Sequence, residues 1–204
     1  MTLLPAGDLL FAKVNLPILD KESAVRQIED LKGKGSFWDP YRGMYLTPMM
    51  GRVNGSPVDF DWHEYAPSSI VEWAEEVLFP FTNIRSRMAI LHTPAKTANY
   101  EHIDCNSSEL NTLQHKFRIV LRGQVDTLYF MTKDGHVSPP HIEEGFIMDG
   151  GWPHGMNNTS GETKLTLALG FPWQGQEKYD ERVELLLNRN DYVMPDEIDH
   201  LWQK

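Results

Sequence analysis

The sequence has a single cysteine, Cys105, in 204 residues. No disulfide can form within the chain, and a thiolate-rich zinc site is excluded. Runs rich in Lys and Arg are missing and the formal net charge is −10, which argues against a nucleic-acid or anionic-membrane surface. No apolar stretch approaches the roughly 20 residues of a membrane-spanning helix. Residues 1–11 lack the basic start and long apolar core of a signal peptide. There is no internal repeat and no low-complexity segment. What is present is a chain with 41% hydrophobic residues, a composition that supports a packed core. The expectation is a soluble, cytoplasmic protein whose residues 1–204 form one domain.

Residues 9–16 read as a strand ended by Pro17, and residues 20–32 as a helix capped by Asp20, with Ala24, Val25, Ile28 and Leu31 on one face. Residues 36–67 hold Trp38, Tyr41, Tyr45, Trp62 and Tyr65 without a clear period, which suggests irregular packing or short strands, with a flap over a site as a further reading. A second helix is expected over residues 68–78, capped by Ser68 or Ser69 and stopped by Pro80. From residue 85 onward short β-rich runs follow one another: residues 85–92, 115–121, 125–132, 143–148 and 164–171. This spacing predicts an antiparallel sandwich or barrel. Residues 177–188 read as a closing helix, with Val183, Leu186 and Leu187 on one side.

Chemistry-bearing residues concentrate between Tyr100 and Gly170. His102 and Asp104 stand at i and i+2, so in an extended segment both point to one side. His154 follows the turn-rich Asp149-Gly150-Gly151-Trp152-Pro153. Two imidazoles and a carboxylate leave positions open on an octahedral metal, which suits Fe(II) that must bind a cosubstrate and O₂ together. The H-x-D pair alone is a weak signal in a chain with eight histidines. Ten residues beyond His154, however, Lys164 opens an apolar strand. A cation there is costly unless it meets an anion.

The block His154-x-x-x-Asn158-x-Ser160-x-x-x-Lys164, after His102-x-Asp104, resembles the Fe(II)/2-oxoglutarate-dependent dioxygenases of the aspartyl/asparaginyl β-hydroxylase-like, or proline hydroxylase-like, group. The resemblance covers residues 86–172. It implies a mainly β fold with flanking helices, a double-stranded β-helix (jelly roll, cupin-like). In this arrangement residues 1–85 and the helix over residues 177–188 would pack on the core. It implies Fe(II) held by His102, Asp104 and His154, and 2-oxoglutarate held by Lys164 and Arg118. The family carries a His where this chain has Arg118, and usually an Arg where it has Lys164. Which of the two cations takes the distal carboxylate is therefore open. Halogenases of the superfamily generally lack the carboxylate ligand, so Asp104 favours hydroxylation, with release of succinate and CO₂; desaturation or cyclisation is left open.

Arg85, Arg87, Arg122 and Trp152 are candidates for contact with substrate, and Trp173 is a further candidate for the cavity wall. His92, His115, His136 and His141 read as structural or solvated residues. The expected substrate is a small amino-acid-like molecule, with O₂ as co-reactant; a peptide or protein side chain is second. A cupin-like metalloenzyme that does not use 2-oxoglutarate is the alternative. The sequence leaves the oligomeric state open.

Overall fold

The computed structural model describes residues 7–40, 42–51, 60–104, 114–171 and 173–201. Two antiparallel sheets face each other. The larger combines β1 (Leu9–Val14), β2 (Phe37–Asp39), β3 (Met44–Met50), β4 (Met88–Thr93), β6 (His115–Arg122), β9 (Gly145–Asp149), β11 (Lys164–Phe171) and β12 (Val183–Asn188), in the order β12-β1-β9-β6-β11-β4-β3-β2. The smaller holds β5 (Thr97–Ala98), β7 (Leu128–Thr132), β8 (Gly135–Val137) and β10 (His154–Asn158), in the order β5-β10-β7-β8. This is the expected jelly roll.

Strand alternation divides the core into two layers. On β6 and β11, Phe117, Ile119, Leu165, Leu167 and Leu169 face outward against α1 (Lys21–Asp30) and the helical run that begins with α2 (Ser68–Trp73). Val120 and Ala168 face inward, where Leu91, Phe146 and Met148 of the large sheet meet Leu128, Phe130 and Met156 of the small one. Arg118 and Lys164 fall on this inward face by the same alternation, and both are buried. Apolar layers on both sides hold β6 and β11 rigidly, which fixes where their inward side chains stand. Asp20 caps α1, accepting from Ser23 N at 2.9 Å, and Trp73 of α2 ties back to the chain by donating Nε1–H to Pro17 O at 2.7 Å.

Three expectations are corrected. Residues 177–188 do not form a helix: two short 3₁₀ turns lead into β12, which pairs with β1 from Val183↔Val14 to Asn188↔Leu9. Val183, Leu185 and Leu187 alternate as well as Val183, Leu186 and Leu187 fit a helix face, and the open edge of β1 settles the choice. The jelly roll also extends beyond residues 86–172, because β1 lies inside the large sheet between β12 and β9, and the hairpin β2–β3 extends its other side. Finally, the helix expected over residues 68–78 has no side-chain cap and is not stopped by Pro80. A π-turn at Ala74–Leu78 widens the backbone, and Pro80 enters the first turn of α3 (Phe79–Thr82), where its missing N–H costs least. Within residues 36–67 the short-strand reading holds for the hairpin β2–β3; residues 41 and 52–59 lie outside the described residues. Among the described residues no helix is long and apolar enough to cross a membrane.

Candidate active site

A single turn positions the two halves of the H-x-D and His cluster. Asp149 closes it: its Oδ1 accepts from Gly151 N at 2.8 Å and Gln114 Nε2 at 3.0 Å, and its Oδ2 pairs with Arg189. From this turn Gly150 O accepts from Asp104 N at 2.9 Å, and the chain passes on to His154 at the start of β10. His102 and His154 are paired through their backbones, N to O at 2.9 and 3.0 Å. The H-x-D segment is thus an isolated bridge rather than a full strand. Its two side chains still share a side.

The nitrogens and carboxylate oxygens of His102, Asp104 and His154 include one from each residue that all lie within 4.8 Å of one another, and all three residues are buried. His102 Nε2 is 3.3 Å from Asp104 Oδ1, and His154 Nε2 is 3.7 Å from Asp104 Oδ2. Cis ligands with metal bonds of about 2.1 Å stand about 3 Å apart, so small adjustments would seat a divalent ion. The second ring nitrogen of each histidine is committed: Nδ1 of His102 lies 2.7 Å from Tyr100 O, and Nδ1 of His154 lies 2.8 Å from Trp152 O. A carbonyl only accepts, so each Nδ1 carries the proton and each Nε2 presents a lone pair, the arrangement of metal-binding imidazoles. His154 Nε2 is buried without a hydrogen-bond partner among the described residues. Burial lowers the His154 pKa to about 3, so its ring is neutral. The donor set fits a divalent transition metal.

Electrostatics around Asp104 are strong. Burial opposes its ionisation, but the Arg118 guanidinium, with a contribution from Lys116, holds its pKa well below the usual carboxylate range. Arg118 donates from Nη2 to Asp104 Oδ2 at 2.9 Å. Arg42, from the β2–β3 turn, brings Nε to 3.7 Å from Asp104 Oδ1 while pairing with Asp39. Lys164 stands further along the inward face, 2% exposed, and donates to Thr127 Oγ1. Burial, reinforced by Arg118 and opposed by Asp126, lowers its pKa to about 7.

Asn158 and Ser160 shape the approach to Lys164 and do not touch the cluster. Asn158 Nδ2 donates to Thr93 O, Pro94 O and Glu162 O at 3.2, 2.9 and 2.9 Å, and Ser160 Oγ donates to Asn158 Oδ1 at 2.7 Å. This clasp binds the turn between β10 and β11 to the end of β4.

The structure moves most of the expected substrate contacts away from the site. Arg85 pairs with Glu75 at 2.6 Å and lies over Phe79, on the helix side. Arg122 pairs with Glu29 of α1, on the outer face. Arg87 precedes β4 opposite Gly170, the far end of that strand from Thr93 and Lys164. Trp152 is in the inner core beside His154, but its Nε1 is committed to Met131 O at 2.7 Å and its ring lies under Arg189. Trp173 stacks on Tyr179, with ring centroids 4.9 Å apart, against the outer core. Four of the six other histidines, those considered above, have structural or surface settings: His92 bonds Thr47 Oγ1, His115 accepts from Trp173 N, and exposed His136 and His141 lie near Glu101 and Glu143. Cys105 is outside the described residues. The sequence reading missed Arg42, Thr127 and Asn99, none of which has a motif to mark it.

No family model matches the sequence, and no curated protein matches it. Solved structures do. A Pseudomonas putida prolyl-4-hydroxylase superposes with a TM-score of 0.52 over 82% of this chain and 94% of that one, at 12% identity. A prolyl hydroxylase from Trichoplax adhaerens, in complex with a hypoxia inducible factor peptide fragment, gives 0.54 over 85% and 86%, at 11% identity. A 2OG-Fe(II) oxygenase family oxidoreductase from Burkholderia pseudomallei gives 0.50 over 72% and 77%, at 10% identity. The chain has the fold of these oxygenases.

Proposed function

We propose that this protein is a non-haem Fe(II)- and 2-oxoglutarate-dependent oxygenase that hydroxylates an unactivated C–H bond of a small amino-acid-like substrate. The observation that carries the reading is the pairing of two features inside one jelly roll. A buried His-Asp-His cluster stands at one end, and a buried lysine, ten residues beyond the second histidine, belongs to the facing sheet and points into the same interior. A dicarboxylate that binds metal through one end would bring its other carboxylate to such a cation, and this relieves the cost of burying it. The fold shared with oxygenases and prolyl hydroxylases supports the same reading.

In this reading His102, Asp104 and His154 hold Fe(II). Their Nδ1–carbonyl hydrogen bonds fix the ring orientations. Lys164, placed by Thr127, binds the distal carboxylate of 2-oxoglutarate. Arg118 already serves Asp104, so Lys164 is the main cosubstrate partner and Arg118 the neighbour that raises the local positive potential. The bound iron supplies the O₂-dependent oxidation that couples decarboxylation of 2-oxoglutarate to substrate hydroxylation. The chain supplies a dry, oriented interior around it: Leu91, Val120, Leu128 and Met156 exclude water from the space between the sheets. The aspartyl/asparaginyl β-hydroxylase-like grouping stands as part of this proposal, on His102-x-Asp104 and the His154 to Lys164 block.

The test is anaerobic addition of Fe(II) and 2-oxoglutarate, which should produce a weak visible charge-transfer band. His154→Ala should abolish it and Lys164→Met should weaken it. An unchanged band in His154→Ala would refute the ligand set. A protein that binds Fe(II) but gives no 2-oxoglutarate-dependent band belongs to the cupin-like alternative.

A further inference from the structure

Between the two sheets, six buried side-chain atoms have no hydrogen-bond partner among the described residues: His154 Nε2, Arg118 Nε, Thr93 Oγ1, Thr166 Oγ1, and both Oδ1 and Nδ2 of Asn99. Asn99 is 2% exposed. It follows β5, and its backbone N–H donates to Met156 O at 2.7 Å, which continues the Asn157↔Ala98 pairing by one step. Directly opposed residues in an antiparallel pair share a face. Met156 faces inward and reaches Arg118 Nη1 with its sulfur at 4.0 Å. Asn99 therefore points into the same interior, three residues before His102 and one inward step beyond His154 along β10.

The chemistry of the six atoms sorts them. The His154 lone pair suits a metal. Arg118 Nε–H and the two threonine hydroxyls can donate to the 2-oxoglutarate dianion, which carries only acceptors, and Asn99 Nδ2–H can donate to an acceptor of a further bound molecule. Asn99 Oδ1 is different. It only accepts, and neither a metal ion in the cluster nor an acceptor-only dianion gives it a hydrogen. Exchanging the two amide atoms changes nothing, because both ends lack a partner. A buried carboxamide oxygen left unmet is costly, so a donor from a further bound molecule is the natural complement.

We infer that Asn99 is a specificity-determining residue that reads the substrate: its Oδ1 accepts a hydrogen bond from a substrate N–H, an ammonium or amide group beside the carbon to be oxidised. This rests on the 2-oxoglutarate-dependent reading above. It selects nitrogen-bearing substrates over analogues of the same shape that lack the nitrogen. Discrimination of this kind is large, because the analogue leaves the amide oxygen unpaired.

The experiment uses the full chain loaded anaerobically with Mn(II) in place of iron, and measures binding by calorimetry. 2-Oxoglutarate is titrated first. The proteinogenic L-amino acids, their N-acetyl methylamides and the matching des-amino carboxylic acids are then titrated into the ternary complex. The expected result is at least one nitrogen-bearing probe that binds about tenfold or more tightly than its des-amino partner. Asn99→Leu should reduce that preference to about threefold or less while the 2-oxoglutarate affinity stays within about threefold. Asn99→Ser, which keeps an acceptor, should retain part of the preference. Circular dichroism confirms that the variants fold. If 2-oxoglutarate binds but no nitrogen-bearing probe does, or if Asn99→Leu leaves the preference intact, the inference is overturned and the proposed function stands. A loss of 2-oxoglutarate binding in Asn99→Leu assigns Asn99 to the cosubstrate and also overturns it. If wild-type protein with Mn(II) binds no 2-oxoglutarate, the proposed function itself fails.

Discussion

Arg118 donates from Nη2 to Oδ2 of Asp104 at 2.9 Å, with both side chains almost completely buried. The guanidinium therefore neutralises the carboxylate of the His-Asp-His cluster within the chain itself. Removing one partner of a buried pair leaves the other charge uncompensated, at a cost of about 3–5 kcal/mol. Arg118→Leu should lower the stability of metal-free protein by that order. A divalent cation at the cluster takes over the neutralisation, so Mn(II) should raise the melting temperature of Arg118→Leu by more than that of wild type. Calorimetric melting with and without Mn(II) measures both, and equal Mn(II) shifts would contradict the argument.

In the proposed function, Lys164 links stability and cosubstrate binding to pH. Burial takes its pKa from the ordinary 10.5 down to about 7. Below pH 7 it is charged in both the folded and unfolded chain, and the penalty of burying that charge is fully present. Between the two values the unfolded chain binds a proton that the folded one does not, so the stability of ligand-free protein rises with pH, by at most about 1.4 kcal/mol per unit from this group. Binding has the opposite sign. A carboxylate prefers the protonated amine, so above pH 7 2-oxoglutarate binding takes up a proton and weakens by up to about tenfold per pH unit. Titration calorimetry in buffers of different ionisation enthalpy should detect that proton, and Lys164→Met should abolish it.

The jelly-roll class and the grouping of His102, Asp104 and His154 were legible in the sequence, whereas the order of the strands was not. His102, Asp104, His154 and Lys164 carry spacings that survive translation into space: two residues along an extended segment, and ten across a turn into a strand. The β-rich runs of the second half were legible for the same reason, since alternation is local. The placement of β12 was not, because its apolar residues satisfy both periods and only the open edge of β1, more than 160 positions away in the chain, decides between them. Arg85, Arg87 and Arg122 show a related limit. Parity puts Arg85 and Arg87 on a common side without saying which side is inward, and Glu75 and Glu29 draw Arg85 and Arg122 to the helices. Asn99 lacks any pattern, because an unmet amide becomes visible only when its surroundings are known.

Asn158 is a structural clasp. Its Nδ2 meets three backbone carbonyls, those of Thr93, Pro94 and Glu162, and the residue has no exposure. Asn158→Leu keeps the volume but strips the donor from one buried and two part-buried carbonyls, at about 1–3 kcal/mol for a fully buried group left unmet and less for the others. Urea unfolding should show a loss of roughly 2–4 kcal/mol with an unchanged m-value, and metal affinity close to wild type. A loss of metal binding in a folded variant would mean that the clasp also supports the cluster.

Gly123 allows the two ends of the site to be separated. It follows β6 with φ of +91°, and a Cβ there would come within 3.0 Å of Lys164 Cα and 3.3 Å of Lys164 Cβ. The obstructing atoms are the backbone and the root of the side chain, so they cannot swing aside as a flexible tip would. Gly123→Ala therefore combines a left-handed strain of about 1–2 kcal/mol with a push on the first residue of β11. His102, Asp104 and His154 belong to the opposite side of the interior and are held by the Asp149 turn, so the cluster should keep its geometry. The variant should bind Mn(II) as wild type does, read by electron paramagnetic resonance, and bind 2-oxoglutarate about tenfold more weakly, read by calorimetry. Equal weakening of both would show that the cluster and Lys164 are mechanically coupled, whereas unchanged 2-oxoglutarate affinity would mean that Lys164 is not its partner.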